Sequence, residues 1–336
     1  CYNDEHQTLK SLGNHMKNVD IFVHQVKNFF VRIGFIMSFL LITILQNGQQ
    51  VVAQTEDIEE ESFTFQYNID DSLPDEWIQE FETIMTALSE IVPIDPQILE
   101  VDEMTPPLQI YAWNSAVSNP FPQVPNATGA CICGDGSSSW MILEIPEDEF
   151  RYDSMHRYSV IVHEYWHVYQ IALAQYNADP IWLWEGAAKI VEELYVQQFY
   201  GRSDFDNKLV PVYRTAIEIP QMFEEYVDSD DDMNYNGSAF MVLALVKKLQ
   251  EQGISEERAF EMVLKDFQEA KSNEADWQTV FEDVFSFSVE DFYADLSEYP
   301  LIATEDEWIN DDMIVDAESV LPSKTLKLED IFVSDE

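Results

Sequence analysis

The sequence predicts an α+β protein in which a small mixed β-sheet lobe is followed by a helical C-terminal lobe. Three runs typical of strands, either alternating or apolar throughout, come early in the chain, at 63–69, 108–113 and 140–145. Beyond residue 180 apolar residues recur at helical spacing, in segments at 181–199, 237–252, 256–269, 275–285 and 289–298. Strands gathered in one part of a chain and helices in another are typical of this fold class.

The N-terminal segment 1–53 is predicted to be a leader that directs the chain to export. Basic residues precede an apolar run at 33–45, which suits the core of a signal peptide but is short for a transmembrane helix. Small residues favour cleavage after Ala53. The mature protein would then be secreted or periplasmic. An uncleaved leader that anchors the chain in the membrane is the alternative.

The rest of the chain divides into three predicted parts: a mixed lobe at 54–178, a helical lobe at 179–300 and an acidic tail at 301–336. In the mixed lobe, a helix is expected to begin near Pro74, because apolar residues follow at spacings of three and four. An acidic loop joins the last strand to a further helix, for which Asp153 and Ser154 are the N-cap candidates. Packing, disorder and removal as a propeptide all remain open for the tail.

The helix after Asp153 carries a five-residue motif, His163-Glu164-Tyr165-Trp166-His167. Residues four apart lie on one face of a helix, so His163 and His167 present two imidazoles to one point. In this HExxH arrangement the two neutral histidines bind Zn²⁺ and the glutamate, here Glu164, is the general base of hydrolysis. A third histidine, His156, lies seven residues before the motif and is expected to have a surface or capping role.

Glu185 is the predicted third ligand, because hydrolytic zinc sites usually take three protein ligands and keep a fourth position for water. Seventeen residues separate His167 from Glu185, enough to end one helix and begin an antiparallel partner. Asp179 is expected to cap this second helix, and Pro180 suits its first turn. The small residues at 186–188 are expected to let the second helix pack closely against the helix of the histidines. An exposed acid on a very acidic surface is the alternative role for Glu185.

The HExxH motif followed by Trp-Leu-x-Glu-Gly resembles the gluzincin metallopeptidases, within them the peptidase-MA-like group related to the zinc aminopeptidases and leukotriene A4 hydrolase. The resemblance covers roughly residues 130–300, and this chain has one residue fewer before the ligand glutamate than that family usually has. The resemblance implies a zincin-like fold with the metal cleft between the two lobes, one Zn²⁺ per chain and hydrolysis of peptide bonds.

The same resemblance implies roles for further residues. Glu192, seven residues beyond Glu185, would accept a hydrogen bond from a ligand histidine, whereas its neighbour Glu193 is expected to be solvated. Tyr235, at the start of an apolar helix, would donate a hydrogen bond to the oxyanion of the tetrahedral intermediate. The strand 140–145 would be the sheet edge along which an extended peptide lies. The family's amino-group-binding motif is not found upstream of HExxH, which favours endopeptidase over aminopeptidase action.

Charge and cysteine content set further limits. The net charge of −47 opposes binding to nucleic acid and to anionic membranes. Acidic blocks at 56–61 and 228–232 give a weak indication of Ca²⁺ binding, since neither has the pattern of an EF-hand loop. Cys131 and Cys133 are expected to be reduced thiols, because a disulfide across one residue is strained.

The leading hypothesis is an exported zinc peptidase that acts on a peptide or protein substrate. Two alternatives stay open: a secreted binding domain that keeps the fold without activity, and a zinc hydrolase that cleaves a non-peptide bond. Retention of the base Glu164 together with the ligand residues speaks against an inactive domain.

Overall fold

The structure, a computed structural model, describes residues 63–95, 106–135, 138–174, 177–203, 212, 214–226, 233–271, 276–303 and 313–333. All of them belong to one unit, Glu60–Glu336. The leader with its cleavage site and both acidic blocks lie outside these residues. Within the described ranges, no helix combines the length and apolar character needed to cross a membrane. The division of the mature chain at residue 178 stays a prediction.

A four-stranded mixed sheet forms the first part of the fold, which confirms the predicted α+β class. Its strands are β1 (Phe65–Ile69), β2 (Leu108–Asn114), β3 (Ala130–Gly134) and β4 (Ser139–Ile145), in the order β1-β2-β4-β3. β1 and β4 both run parallel to β2, and β3 pairs antiparallel with β4. The three predicted strands are confirmed as β1, β2 and β4.

The prediction that 140–145 forms the sheet edge is wrong, because β3 covers that side of β4 as the outer strand of a hairpin. β3 has five residues and is only half-buried, so its sequence has no long apolar or alternating run. Among the described strands, β3, which contains Cys131 and Cys133, therefore forms this edge of the sheet.

The two central strands are buried on both faces. Alternate residues point to opposite sides of a strand. Ile110, Ala112 and Met141 face the main core with the helices, whereas Trp113 and Ile142 face a second, smaller cluster under the connection between β2 and β3. Burial on both faces explains why the sequences of β2 and β4 are apolar almost throughout.

Helices make up most of the remaining structure. Those of more than one turn are α1 (Asp75–Ile91), α2 (Glu147–Arg151), α3 (His156–Ala174), α4 (Ile181–Tyr200), α5 (Thr215–Glu218), α6 (Ser238–Glu251), α7 (Glu256–Glu261), α8 (Phe267–Ala270), α9 (Trp277–Phe285), α10 (Val289–Leu296) and α11 (Leu328–Phe332). The predicted helical segments beyond residue 180 are confirmed, except that a π-helical turn, Met262–Asp266, interrupts 256–269. A second π-helical turn, Met233–Gly237, precedes α6.

The described part of the C-terminal tail packs against the rest of the protein. A short antiparallel pair, β5 (Leu301–Ala303) and β6 (Met313–Val315), is followed by α11. In α11, Leu328 and Ile331 are buried in the main core. Of the three alternatives for the tail, packing therefore holds for residues 313–333.

The caps of α3 and α4 differ in part from the sequence predictions. α3 begins at His156, two residues after Ser154, whose Oγ accepts a hydrogen bond from the backbone N–H of His156. Asp153, the other cap candidate, has a positive φ of 51° and lies before this turn. α4 begins at Ile181 with Pro180 as its N-cap, and no side chain caps it, so Asp179 does not have the expected capping role. Both helices are buried on nearly all sides, which places them at the centre of the fold.

Gly186 allows a close helix contact, but with a different partner from the one predicted. A Cβ atom at Gly186 would lie 2.5 Å from the carbonyl oxygen of Ser238 and 2.9 Å from Val242 Cγ2. Both atoms belong to α6. The small residue next to Glu185 thus lets α4 approach α6, rather than the helix of the histidines.

The substitution Gly186→Ala separates packing from helix propensity. Alanine would stabilise an exposed helix by about 0.5–1 kcal/mol relative to glycine. At this contact we expect overpacking to lower the free energy of unfolding by about 1–3 kcal/mol instead. Urea denaturation of wild type and variant measures the difference, and a gain in stability would contradict the observed contact between α4 and α6.

Candidate metal centre

Three side chains from α3 and α4 converge on one point. The Nε2 atoms of His163 and His167 lie 3.0 Å apart, as expected for residues separated by one helical turn on α3. Glu185 Oε2, from α4, lies 3.4 Å from each of these nitrogens. The three residues form the one group among the described side chains whose His, Cys, Asp or Glu ligand atoms are arranged to hold a metal ion.

Distances between these ligand atoms fit a small tetrahedral ion. Zinc bonds of about 2.0–2.1 Å in tetrahedral geometry place neighbouring ligand atoms about 3.3–3.4 Å apart. The two nitrogen-to-oxygen distances of 3.4 Å match that spacing, and the nitrogens at 3.0 Å need to separate by a few tenths of an ångström. The donor set of two imidazoles and one carboxylate is typical of catalytic zinc sites.

Two buried oxygens at the site have no hydrogen-bond partner among the described residues, Oε2 of Glu185 and Oε2 of Glu164. Glu164 is only 4% exposed. Buried carboxylate oxygens are normally hydrogen-bonded or bound to a cation, because removing their charge from water is costly. A cation between the histidines and Glu185, and a water molecule beside Glu164, would satisfy both oxygens.

Each histidine is oriented by a contact to its other ring nitrogen. His163 Nδ1 lies 3.1 Å from Glu192 Oε2, and His167 Nδ1 lies 2.8 Å from Gln170 Oε1. Gln170 in turn donates to the backbone carbonyl of Trp184, whose ring stacks on His167. Donation from both Nδ1 atoms leaves the Nε2 lone pairs directed at the shared point. The structure thus places Glu192 beside His163, where the resemblance implied a hydrogen-bond acceptor.

Electrostatics at the cluster favour positive charge. Burial opposes protonation of His163, but the carboxylates of Glu185 and Glu192 outweigh it and raise the pKa of His163 to about 10. Burial also opposes ionisation of Glu185, yet the neighbouring imidazoles of His167 and His163 hold its pKa well below the usual range. A metal ion would take the place of the proton on His163, since only the neutral imidazole is a ligand.

Glu164 has a different environment from Glu185. Burial raises the pKa of Glu164 above its ordinary value, and the nearby His167 and His163 only partly oppose that shift. A raised pKa makes the carboxylate a stronger base than a free glutamate, which favours its taking up a proton. Glu164 is therefore chemically suited to proton transfer, whereas Glu185 is suited to hold a cation.

The cluster opens into a cleft with a cavity of about 400 Å³. Its lining includes the metal-site residues, the start of β3 and two tyrosines, namely Ala130, Cys131, Ile132, His163, Glu164, His167, Ile171, Ala178, Trp184, Glu185, Tyr226 and Tyr235. The ring of Tyr235 lies 5.7 Å from that of His163, centroid to centroid. The pKa of Tyr235 is raised, mainly by burial and to a smaller extent by the carboxylate of Glu185 and a hydrogen bond with Tyr226. The hydroxyl of Tyr235 therefore remains a proton donor.

Tyr226 has no counterpart in the sequence prediction. It is 44% exposed, lines the cleft and bonds to Tyr235. In a chain with 15 tyrosines, no local pattern distinguishes it from surface residues. Tyr235, in contrast, stands on the π-helical turn before α6, within reach of the histidines as the resemblance implied.

Expectations for His156 and Glu193 can also be compared with the structure. His156 is exposed and bonds to Glu149, which agrees with a surface role. Glu193 is buried, bonded to Lys189 and Ser203, so its expected solvation is wrong.

The expectation of reduced thiols in β3 is also wrong, because Cys131 and Cys133 are joined by a disulfide. The two residues lie on the same side of an extended strand, with their Cα atoms 5.5 Å apart, inside the range that disulfides span. Residues i and i+2 of a strand point to the same face, which their short separation along the chain does not show.

Comparisons with known proteins do not assign the chain to a family. No family model matches it, and no curated protein matches it either. The resemblance to gluzincins therefore depends on the motif residues and on the geometry they adopt.

Lys271 stabilises the connection between α3 and α4, although no sequence feature indicated it. Its ammonium donates to the carbonyl oxygens of Asn177 at 2.6 Å and Asp179 at 3.2 Å, and it lies over the ring of Trp184. Lys271 is 3% exposed, and burial lowers its pKa to about 7. Since the connection sets where α4 begins, Lys271 helps to position Glu185.

The lowered pKa of Lys271 predicts a specific pH dependence of stability. The folded protein loses the proton above about pH 7, whereas the unfolded chain keeps it up to about pH 10.5. Between these values the contribution of Lys271 to the free energy of unfolding should rise with pH, by at most about 1.4 kcal/mol per unit. We expect the stability of wild type minus that of Lys271→Met to increase with pH in urea denaturation. A difference that does not change with pH would contradict this assignment.

Proposed function

We propose that the protein is an exported zinc-dependent peptidase of the gluzincin type, with a zincin-like fold, which hydrolyses internal peptide bonds. The observation that carries the proposal is the convergence of His163, His167 and Glu185 beside Glu164, whose buried Oε2 has no hydrogen-bond partner among the described residues. In an ion pair network with only a structural role, buried carboxylate oxygens are normally all bonded. A hydrolase, in contrast, needs a carboxylate oxygen that is free to take a proton from water.

Zinc held by the two histidines and Glu185 would polarise the scissile carbonyl and lower the pKa of a water molecule towards about 7. Glu164 accepts the proton from the attacking water and passes it to the nitrogen of the leaving amine. Its raised pKa favours the first of these steps, the uptake of the proton from water.

The hydroxyl of Tyr235 is the proposed donor to the oxyanion. Its position near His163 places it on the metal side of the cleft, and its raised pKa keeps the hydroxyl protonated at neutral pH. A fixed donor of this kind stabilises charge that develops only in the transition state. The bond to Tyr226 restricts the orientation of the phenol.

The cleft suits a polypeptide substrate. Residues 130–132 of the edge strand β3 line it, and backbone groups on a free edge can pair with an extended peptide. Ile171 and Trp184 also line the cleft and give it apolar and aromatic surface for substrate side chains. Recognition by strand addition would then use β3 rather than residues 140–145.

Export is supported by the disulfide in β3, because disulfides persist mainly in oxidising compartments. The chain's net charge of −47 supports a peptide or protein partner rather than nucleic acid. A zinc hydrolase of a non-peptide bond would use the same residues, and activity assays on esters and peptides distinguish the two. A binding domain without activity would differ from both, because its wild type would show no cleavage in the assay described next.

The substitution Glu164→Gln tests the mechanism, because it removes proton transfer but keeps the side chain's size. We expect zinc content to stay at one per chain and kcat on an unstructured protein substrate to fall by about 10²–10⁴-fold. His167→Ala is the matched comparison, which should lose zinc as well as activity. Equal cleavage by wild type and a zinc-loaded Glu164→Gln variant would exclude Glu164 as the base.

A further inference from the structure

Lys189 lies one helical turn beyond Glu185 on α4, on the side of Glu192 away from the metal cluster. Its Nζ donates to Glu192 Oε1 and, at 2.8 Å, to Glu193 Oε1. The Lys189 side chain is 14% exposed, and the two glutamates are almost fully buried. One ammonium group therefore joins two adjacent buried carboxylates.

The two oxygens of Glu192 have different partners. Oε1 accepts from Lys189, and Oε2 lies 3.1 Å from His163 Nδ1. Burial opposes ionisation of Glu192, but the Lys189 ammonium and His163 lower its pKa. The orientation of the carboxylate, and hence of His163, depends on both contacts.

A second cavity, of about 300 Å³, lies on the outer side of Lys189. Lys189 and Glu193 line it together with residues from the start of α3 and the end of α4, whereas Glu192 does not line it. Lys189 thus stands between Glu192 and space that water can enter. Without the lysine side chain, water in this cavity could bond to Glu192 and draw its carboxylate away from His163.

We propose that Lys189 is a positioning residue for the metal centre, which acts through Glu192 to hold His163 with its Nδ1–H donated and its Nε2 free to bind the ion. This inference rests on the proposed zinc site. The chain of contacts is Lys189 Nζ to Glu192, Glu192 to His163 Nδ1, and His163 Nε2 to the ion. Lys189 itself touches neither the ion nor the substrate.

Zinc affinity of the full chain tests this role without any activity assay. Lys189→Met removes the ammonium and keeps the side chain's length, and competition with a chromophoric chelator gives the zinc Kd. Loss of a contact that orients a ligand histidine typically costs 10–100-fold in metal affinity, and we expect a loss of about that size. Lys189→Arg should restore most of it. Glu193→Gln is the matched control, because it changes the other partner of Lys189, and its Kd should stay within about threefold of wild type.

Coupling between the two residues distinguishes positioning from general destabilisation. If Lys189 acts through Glu192, Lys189→Met should cost no further zinc affinity in a Glu192→Gln background. Visible absorption of the Co²⁺-loaded proteins should change in Lys189→Met and not in Glu193→Gln. If Lys189→Met does not fold, the double variant Lys189→Met/Glu193→Gln is measured against Glu193→Gln instead. Glu193→Gln removes one of the two buried carboxylates that lose their partner when Lys189 is replaced.

The outcomes separate the two proposals. A wild-type chain that binds no zinc removes the proposed function and this inference with it. A wild type that binds zinc and a folded Lys189→Met variant of equal affinity overturn the role of Lys189 alone. Equal losses for Lys189→Met in the wild-type and Glu192→Gln backgrounds would also overturn it.

Discussion

The packing of α3 against α4 is the interaction on which the rest of the site depends. α3 alone brings two imidazole nitrogens together, but a carboxylate oxygen reaches them only because α4 returns antiparallel beside it. The connection between the helices is fixed by Lys271, and the far side of α4 approaches α6 closely at Gly186. A small movement of α4 would separate Glu185 from the histidines, so the centre is a property of the helix packing and not of the motif alone.

The packing of α3 against α4 also brings together more negative than positive charge. Glu164, Glu185 and Glu192 are largely removed from water in one small volume, where Lys189 contributes one positive charge. Carboxylates buried without compensation are strongly destabilising, and bound divalent cations are often the largest local charge in such sites. The arrangement therefore favours a cation at the centre, with a proton on His163 as the substitute when the ion is absent. The proposed activity would depend on the same side chains that set this charge balance.

The sequence predicted the local features well and the long-range ones poorly. Helical spacing was enough to place His163 and His167 on one face, and seventeen intervening residues were enough to allow Glu185 to return to them. The position of β3 at the sheet edge depends on strand order, which a short half-buried strand does not reveal. Lys271 and Tyr226 reach the site from segments far along the chain, with no periodicity to mark them. Glu193 is buried where Lys189, on α4, and Ser203, just beyond the end of α4, both bond to its carboxylate, whereas composition alone favoured a solvated acid.

The most direct test of the central claim is zinc K-edge X-ray absorption on the protein loaded with one equivalent of zinc. The account predicts about four nitrogen or oxygen neighbours near 2.0–2.1 Å, with the outer-shell scattering of two imidazoles. The outer-shell scattering of two imidazoles should be absent from the spectrum of the His167→Ala protein. A spectrum of the wild type without imidazole scattering, or with sulfur neighbours near about 2.3 Å, would contradict a centre built from α3 and α4.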